Sequence, residues 1–448
     1  MKMSLDPLLL GERVVRPAGA LRGTIRVPGD KSISHRAVML AALAKGTSRI
    51  RGFLESEDCI CTLSAFEAMG ISADRSGDEL TIHGKGIHHL QEPEDVLNMG
   101  NSGTGTRLLL GILAGQEFSA TLTGDSSLRV RPMRRVTEPL REMGAQFIGR
   151  DHGNRLPLSV QGGKLKPIEY VSPVASAQIK SCLLLAALTA EGQTIIDEPG
   201  PSRDHTERML KTFGIDMESI RNHAGHYRHV LQGGQQLKAC DITVPGDVSS
   251  AAFFLVAASI VPESDLRIEG LGMNETRTGI IEVLQEMGAD IRVENPRLEG
   301  AEPVADLHVR HAPLQGTRVS GDTVVRMIDE FPIFAVAAAF ASSPSVVEGA
   351  EELRVKESDR ITTIVDELGK MGIVIVERPD GFTVQGNSQA QGTAVKSYGD
   401  HRIAMSLAVA ALAASGETLI KGTAPIATSF PAFFDLLDRV CPGSAVSV

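Results

Sequence analysis

A mixed α/β fold, with α+β character and two domains of three similar units each, is the class this 448-residue sequence predicts. A helix ending that recurs along the chain, a second recurring signal in which a polar opening meets a very apolar helix, and a length too great for one core all point the same way.

The helix endings come first. Phe66-Glu67-Ala68-Met69-Gly70-Ile71, Leu140-Arg141-Glu142-Met143-Gly144-Ala145 and Leu210-Lys211-Thr212-Phe213-Gly214-Ile215 share one pattern. It returns at Leu284-Gln285-Glu286-Met287-Gly288-Ala289 and Leu368-Gly369-Lys370-Met371-Gly372-Ile373, with a degraded copy at Leu436–Val440. A glycine just past the last apolar position suits the left-handed residue that closes a helix. The copies lie roughly 70–85 residues apart, too far for a solenoid repeat.

The openings keep the same spacing. They are Asp30-Lys31-Ser32, Asn101-Ser102-Gly103-Thr104, Ala175-Ser176-Ala177-Gln178, Gly246-Asp247-Val248-Ser249-Ser250, Asp329-Glu330-Phe331-Pro332 and Gly399-Asp400-His401-Arg402. An Ala/Leu/Val-rich stretch such as Ala37–Ala44, Leu108–Ala114 or Ala404–Ala414 follows each. A helix apolar on nearly all sides is a buried one, and Ser, Asp and Asn are good N-caps. Six units, each with two helices and several short strands, divide naturally into two sets of three. The segments Ile25–Asp30 and Ile242–Asp247 both read I-x-V-P-G-D and mark crossover points between the domains. The expected division is 29–244 for one domain and 1–28 with 245–448 for the other.

Composition excludes several function classes. Forty-five basic against 55 acidic residues give a net charge of −10, which disfavours nucleic acid and anionic membranes as partners. Trp is absent and aromatics are 4%, leaving little for base stacking. The apolar run Leu8–Leu10 is too short for a secretory leader, and no stretch is long enough to span a bilayer, so a cytoplasmic protein is expected. Cys59, Cys61, Cys182, Cys240 and Cys441 lack zinc spacing, so no metal is expected and the thiols read as reduced and structural.

Against that acidic background the cations at the helix openings stand out. A helix N-terminus offers unpaired N–H groups and partial positive charge, hence an anion site, and a threefold arrangement aims three such ends at one centre. Lys31, Arg36, Arg107, Gln178, Lys180, Asp329, His401 and Arg402 lie at or just inside these openings, where capping ion pairs are the ordinary alternative. Gly29–Arg36 joins a turn, hydroxyls and two cations without Walker spacing, and Gly103 lets a ligand approach backbone. Arg129-Val130-Arg131-Pro132-Met133-Arg134-Arg135 holds four arginines, ordinarily a solvated or ion-paired face; Pro132 at a helix start directs Arg131 outward into a cleft, which favours a ligand contact. Glu351–Arg360 reads as a salt-bridged helix, whose spacing decides nothing about Lys356, Glu357 and Arg360. Together these features predict an enzyme that gathers two small phosphate-bearing substrates.

The chain closely resembles the 5-enolpyruvylshikimate-3-phosphate synthase family. The carriers are P-G-D-K-S-I-S-H-R (Pro28–Arg36), G-N-S-G-T-G-T-R (Gly100–Arg107), R-P-M (Arg131–Met133) and A-S-A-Q-I-K-S (Ala175–Ser181). To these are added S-R-D-H-T-E (Ser202–Glu207), D-E-F-P (Asp329–Pro332), L-R-V-K-E-S-D-R (Leu353–Arg360) and D-H-R-I-A-M (Asp400–Met405). The Ser202–Glu207 motif and Ile426–Pro431 are similar to the class II branch, known for glyphosate-tolerant members. The resemblance implies a two-domain inside-out α/β barrel of six βαβαββ-type repeats with the active site in the interdomain cleft. It implies transfer of the enolpyruvyl group of phosphoenolpyruvate to the 5-hydroxyl of shikimate 3-phosphate, releasing phosphate, in the shikimate pathway to chorismate and aromatic amino acids. No cofactor is implied, a monomer is expected, and glyphosate is a candidate inhibitor.

Roles carry over by motif. Lys31, Ser32, Arg36, Ser176, Arg203, Asp329 and Lys356 would hold shikimate 3-phosphate. Lys31, Gly103, Arg131, Gln178, Arg360 and Arg402 would hold phosphoenolpyruvate, and Asn101, Ala177 and His401 complete the binding set. Asp329 would take the hydroxyl proton, and Glu357 or Lys31 would move the methylene proton. Two departures matter: Thr428 stands where many class I members have Lys, and Gly103 where many tolerant class II members have Ala. The expectation is a more glyphosate-sensitive enzyme than the branch suggests. The related transferase acting on UDP-N-acetylglucosamine is disfavoured, because Gly115–Pro132 holds no Cys and Ser32 replaces Asn. A catalytically dead scaffold is disfavoured by Lys31, Asp329 and Glu357 together, and RNA binding by charge and aromatic content.

Overall fold

The computed structural model of the protein describes residues 11–77, 79–223 and 225–447, so the apolar run Leu8–Leu10 lies outside the described residues. The chain forms two compact units. The N-terminal unit takes Gly29–Val244 with Glu299–Glu302; the C-terminal unit takes the described residues up to Pro28, Pro245–Leu298 and those from Pro303 onward.

The five glycines of the recurring endings all take positive φ: Gly70, Gly144, Gly214, Gly288 and Gly372. Each follows the C-cap of a helix, those helices being Glu57–Ala68, Arg134–Glu142, His205–Thr212, Gly279–Glu286 and Arg360–Lys370. The glycine matters because a Cβ disfavours that conformation. The six openings also start helices: Lys31–Leu43, Gly103–Ala114, Ala177–Ala187, Val248–Ile260, Phe331–Ala339 and His401–Leu412. Asp30, Ser102, Asp247 and Asp400 cap with their side chains, each satisfying a backbone N–H at a helix start for about 1 kcal/mol.

Each repeat contributes one four-stranded sheet, and all six share one strand order. Leu97–Asn98, helix Gly103–Ala114, Ser119–Thr123, helix Arg134–Glu142, Gln146–Gly149 and Arg155–Gln161 follow one another as βαβαββ, apart from a four-residue helical turn at Arg150–Gly153. The first strand pairs parallel with the second, and the last pairs antiparallel with both others. Two edge strands are exchanged. Arg22–Ile25 precedes the Lys31 helix yet pairs with Asp265–Gly272 of the C-terminal unit, and Ile242–Thr243 precedes the Val248 helix yet pairs with Lys45–Arg51 of the N-terminal unit. The last sheet is completed by Glu12–Val15 between Thr418–Lys421 and Ala445–Ser447.

Strands such as Lys45–Arg51 and Arg155–Gln161 alternate buried and exposed positions, whereas Val248–Ile260, Phe331–Ala339 and His401–Leu412 are buried throughout. One sheet face is therefore wet and the other packs on the central helices, which puts helices inside and sheets outside. Among the described residues no sheet closes on itself; the expected barrel is a set of separate sheets flanking buried helices. Each unit has its own apolar core, that of the C-terminal unit holding Phe253, Phe254, Phe331, Phe334, Phe430 and Phe433. No helix among the described residues is long and apolar enough to cross a membrane.

Candidate functional site

In the N-terminal unit the starts of the three central helices are tied together by polar side chains. Ser102, which caps the Gly103 helix, lies 3.4 Å from His35 Nε2, and His35 Nδ1 lies 2.8 Å from Thr62 Oγ1. Burial, then the charges of Lys31 and Arg36, hold the His35 imidazole down to about 3, so it is neutral and keeps one acceptor nitrogen. Arg36 spans helices: its Nε donates to Thr206 Oγ1 at 2.6 Å and a terminal nitrogen to Ser181 Oγ at 2.8 Å. Its third nitrogen donates to the Ser32 carbonyl at 2.9 Å. Gln178 accepts from Arg107 at 2.8 Å and donates to Thr104 at 3.1 Å. Lys31 Nζ lies 3.0 Å from Asp58 Oδ2.

Arg131 is buried at 9% exposure, and its guanidinium lies over Gly103, where an added Cβ would come within 2.9 Å of Cζ. This corrects the outward-facing Arg131: Pro132 does not start the helix, which begins at Arg134, and the stretch before it turns Arg131 inward while Arg129 is exposed. Asn101 donates to Asp125 at 2.7 Å. Ser176 and Ala177 open the third helix, and Arg203 is half-buried in the loop that follows strand Gln193–Glu198.

In the C-terminal unit one buried guanidinium organises the site. Arg360, 2% exposed, donates from Nε to Asp400 at 2.8 Å, from one terminal nitrogen to Glu357 at 2.6 Å and from the other to Asp329 at 3.3 Å. Burial opposes its charge, but Asp400, Glu357 and Asp329 outweigh that and raise its pKa. Lys356 Nζ approaches Asp329 Oδ1 at 3.5 Å. Asp400 has no exposure and also caps its own helix by accepting from the Arg402 N–H at 2.9 Å. Glu330, equally buried, accepts from Ser249 and lies 3.9 Å from Arg402, so it links the openings of all three central helices here. Thr428 Oγ1 lies 3.4 Å from His401 Nδ1.

The Glu351–Arg360 segment is not the continuous salt-bridged helix expected. A 3-10 turn covers Glu351–Val355, Lys356 is extended, and a new helix begins at Arg360, capped by Asp359 through the Thr362 N–H. The break is what lets Lys356 and Arg360 converge on Asp329 while Glu357 pairs with the same guanidinium. Within the C-terminal unit the expected residues Asp329, Lys356, Glu357, Arg360 and Arg402 are thus gathered; Lys31, Arg36, Gly103, Arg131 and Gln178 belong to the N-terminal unit's helix openings. Asp400 and Glu330 were visible only as helix openings, and Asp58, Glu198 and Glu207 carried no signal as pairing carboxylates. Among the described residues no group of three or more His, Cys, Asp or Glu is arranged to hold a metal. Burial pushes the Cys59 thiol up, and that of Cys61 to about 11.

Comparison with known proteins gives a consistent result. A family model described as EPSP synthase (3-phosphoshikimate 1-carboxyvinyltransferase) matches residues 15–437. A 3-phosphoshikimate 1-carboxyvinyltransferase of Desulforamulus reducens is 54% identical over 430 residues, covering 96% of this chain and 99% of the relative. One from Bacillus cytotoxicus is 51% identical over 423 residues, covering 94% and 99%. The solved EPSP synthase of Acinetobacter baumannii superposes with a TM-score of 0.87 at 46% identity, covering 98% of this chain and 100% of that one. The enolpyruvyl transferase NikO of Streptomyces tendae, at 19% identity and a TM-score of 0.78 over 98% and 99%, shares the fold.

Proposed function

Because the chain belongs to the EPSP synthase (3-phosphoshikimate 1-carboxyvinyltransferase) family, we propose that its two residue sets act together on shikimate 3-phosphate and phosphoenolpyruvate. The enzyme is a transferase of the shikimate pathway. It moves the enolpyruvyl group of phosphoenolpyruvate to the 5-hydroxyl of shikimate 3-phosphate and releases phosphate.

Chemically, the 5-hydroxyl oxygen bonds to C2 of phosphoenolpyruvate while C3 gains a proton; C3 then loses a proton as the bond from C2 to the phosphate oxygen breaks. Asp329 takes the hydroxyl proton, and Glu357 or Lys31 delivers and removes the proton at C3. Lys31, Ser32, Arg36, Ser176, Arg203 and Lys356 hold shikimate 3-phosphate, with Ser176 and Arg203 near its phosphate. Gly103, Arg131, Gln178, Arg360 and Arg402, with Lys31, hold phosphoenolpyruvate, and Asn101, Ala177 and His401 complete the substrate-binding set. Cations fixed before substrates arrive favour orientation and charge stabilisation over side-chain rearrangement. Glyphosate is expected to compete with phosphoenolpyruvate.

The observation that carries this reading is the Arg360 guanidinium, shared by Asp329, Glu357 and Asp400, which sets a base and a candidate acid in fixed relation. Detection of product and released phosphate with both substrates tests it, with Asp329→Asn as control. The variant should lose about 10²–10⁴-fold in kcat, the usual scale for a general base, with KM little changed. Wild-type activity absent with this pair would defeat the reading, and full activity in Asp329→Asn would remove Asp329 from its role.

A further inference from the structure

A buried charged cluster in the N-terminal unit has no role in the chemistry above. Lys180 is 2% exposed, and its Nζ lies 2.8 Å from both Glu198 Oε2 and Glu207 Oε1. His229 approaches Glu198 Oε2 at 3.3 Å. Burial would raise the Glu198 carboxyl, but His229, the Lys180 charge and Ser202 pull it down to about 2, so it is ionised. An ion cluster that served packing alone would be complete at this point.

Glu198 reaches further. The Ser176 backbone N–H donates to its Oε1 at 3.1 Å, and the Ser202 hydroxyl donates to the same carboxylate at 2.8 Å and 3.0 Å. Ser176 is the N-cap of the Ala177–Ala187 helix, yet unlike Ser102 its hydroxyl does not cap that helix. Ser202 immediately precedes Arg203. One carboxylate at the end of strand Gln193–Glu198, 1% exposed, therefore fixes two separate segments that carry Ser176 and Arg203.

We infer that Glu198 is a positioning residue for the phosphate end of the shikimate substrate: it sets the Ser176 and Arg203 segments in one geometry, and Lys180 holds it there. This rests on the functional reading given above. The strand supplies rigidity, and the buried lysine keeps the carboxylate ionised and immobile. A neutral or shortened side chain loosens both segments together, while Lys31 keeps its partner Asp58 on a separate helix.

The test measures binding and kinetics with shikimate 3-phosphate, unphosphorylated shikimate and phosphoenolpyruvate for wild type, Glu198→Gln and Ser202→Ala. Glu198→Gln should raise KM for shikimate 3-phosphate about 10-fold or more and leave KM for phosphoenolpyruvate and kcat within about 3-fold. The dissociation constant for unphosphorylated shikimate should also stay within about 3-fold, so that only the phosphate increment is lost. Ser202→Ala cuts one arm without disturbing the ion cluster, and it should show the same selectivity at smaller size even where Glu198→Gln folds poorly. Equal weakening of shikimate and shikimate 3-phosphate, or no change in Ser202→Ala, overturns the inference. A wild-type enzyme that does not prefer shikimate 3-phosphate over shikimate overturns the functional reading itself.

Discussion

Gly103→Ala isolates a single methyl group at the point where the Gly103–Ala114 helix begins. Gly103 does not sit at positive φ, so alanine meets no backbone strain there. Its Cβ would lie 2.9 Å from Arg131 Cζ and one terminal nitrogen and 3.1 Å from the other. Ordinary carbon contacts begin near ~3.5 Å, so the guanidinium must retreat by about 0.5 Å, which the end of a long side chain can do at small energetic cost. Folding stability should therefore change by only about 0.5 kcal/mol, in the direction of gain, because alanine suits a helix better than glycine. The consequence falls on the anion that, on the proposed reading, Arg131 and the helix start hold. A short ligand can follow the guanidinium, whereas glyphosate, longer than phosphoenolpyruvate, meets the methyl as well. KM for phosphoenolpyruvate should rise about 3-fold and the glyphosate inhibition constant about 30-fold, a differential of about 1.4 kcal/mol. Phosphate release titrated with glyphosate at several phosphoenolpyruvate concentrations gives both constants. An unchanged ratio of inhibition constant to KM would refute the steric argument.

Two further outcomes follow from buried groups. Asp400→Asn keeps the helix cap but removes the charge that faces Arg360 Nε, and since Glu357 and Asp329 still contact that guanidinium the loss of unfolding free energy should be near the low end for a broken buried pair, about 3 kcal/mol; denaturant unfolding measures it, and an unchanged midpoint would count against the pairing. His35 has its folded pKa lowered to about 3 by burial and the Lys31 and Arg36 charges, below an unfolded value of 6.5. Between those values the unfolded chain binds the extra proton, so stability is fully present above 6.5 and falls as pH drops, by up to about 1.4 kcal/mol per unit. His35→Gln should flatten that part of the stability profile between pH 6.5 and 5; a slope equal to wild type would refute it.

The repeat rhythm was legible because each feature has a local cause. A C′ glycine, an N-cap and an all-apolar helix are written in consecutive residues, so the endings at Gly70 to Gly372 and the six openings map onto helices. The sheets were less legible, since the exchange of Arg22–Ile25 and Ile242–Thr243 depends on long-range pairing. Site geometry failed where the chain changes direction. The Glu351–Arg360 charges read as one salt-bridged helix, but the Asp359 cap restarts the helix at Arg360. In the cluster Arg129–Arg135, Arg129, Arg134 and Arg135 are exposed as a solvated face would have them, but Met133, not Pro132, precedes the helix and Arg131 is buried. Glu198 carried no signal because its partners Ser176, Lys180 and His229 reach it only through the sheet and helix packing.

These features share a physical logic. A buried guanidinium needs acceptors, and Arg360 has three carboxylates around one planar fork, which only arginine supplies. Besides the ligand contact proposed for it, the guanidinium fixes Asp329 and Glu357 relative to each other. Arg36 does the equivalent for the N-terminal unit, with three nitrogens on three segments. On the proposed reading, the helix starts of each unit, with Lys31 and Arg131 in one and Arg402 in the other, attract the anions, while the most deeply buried arginines keep the starts of their own unit in register. Removing a frame arginine should therefore disturb several contacts at once, whereas removing a cation nearer the helix starts should weaken one ligand.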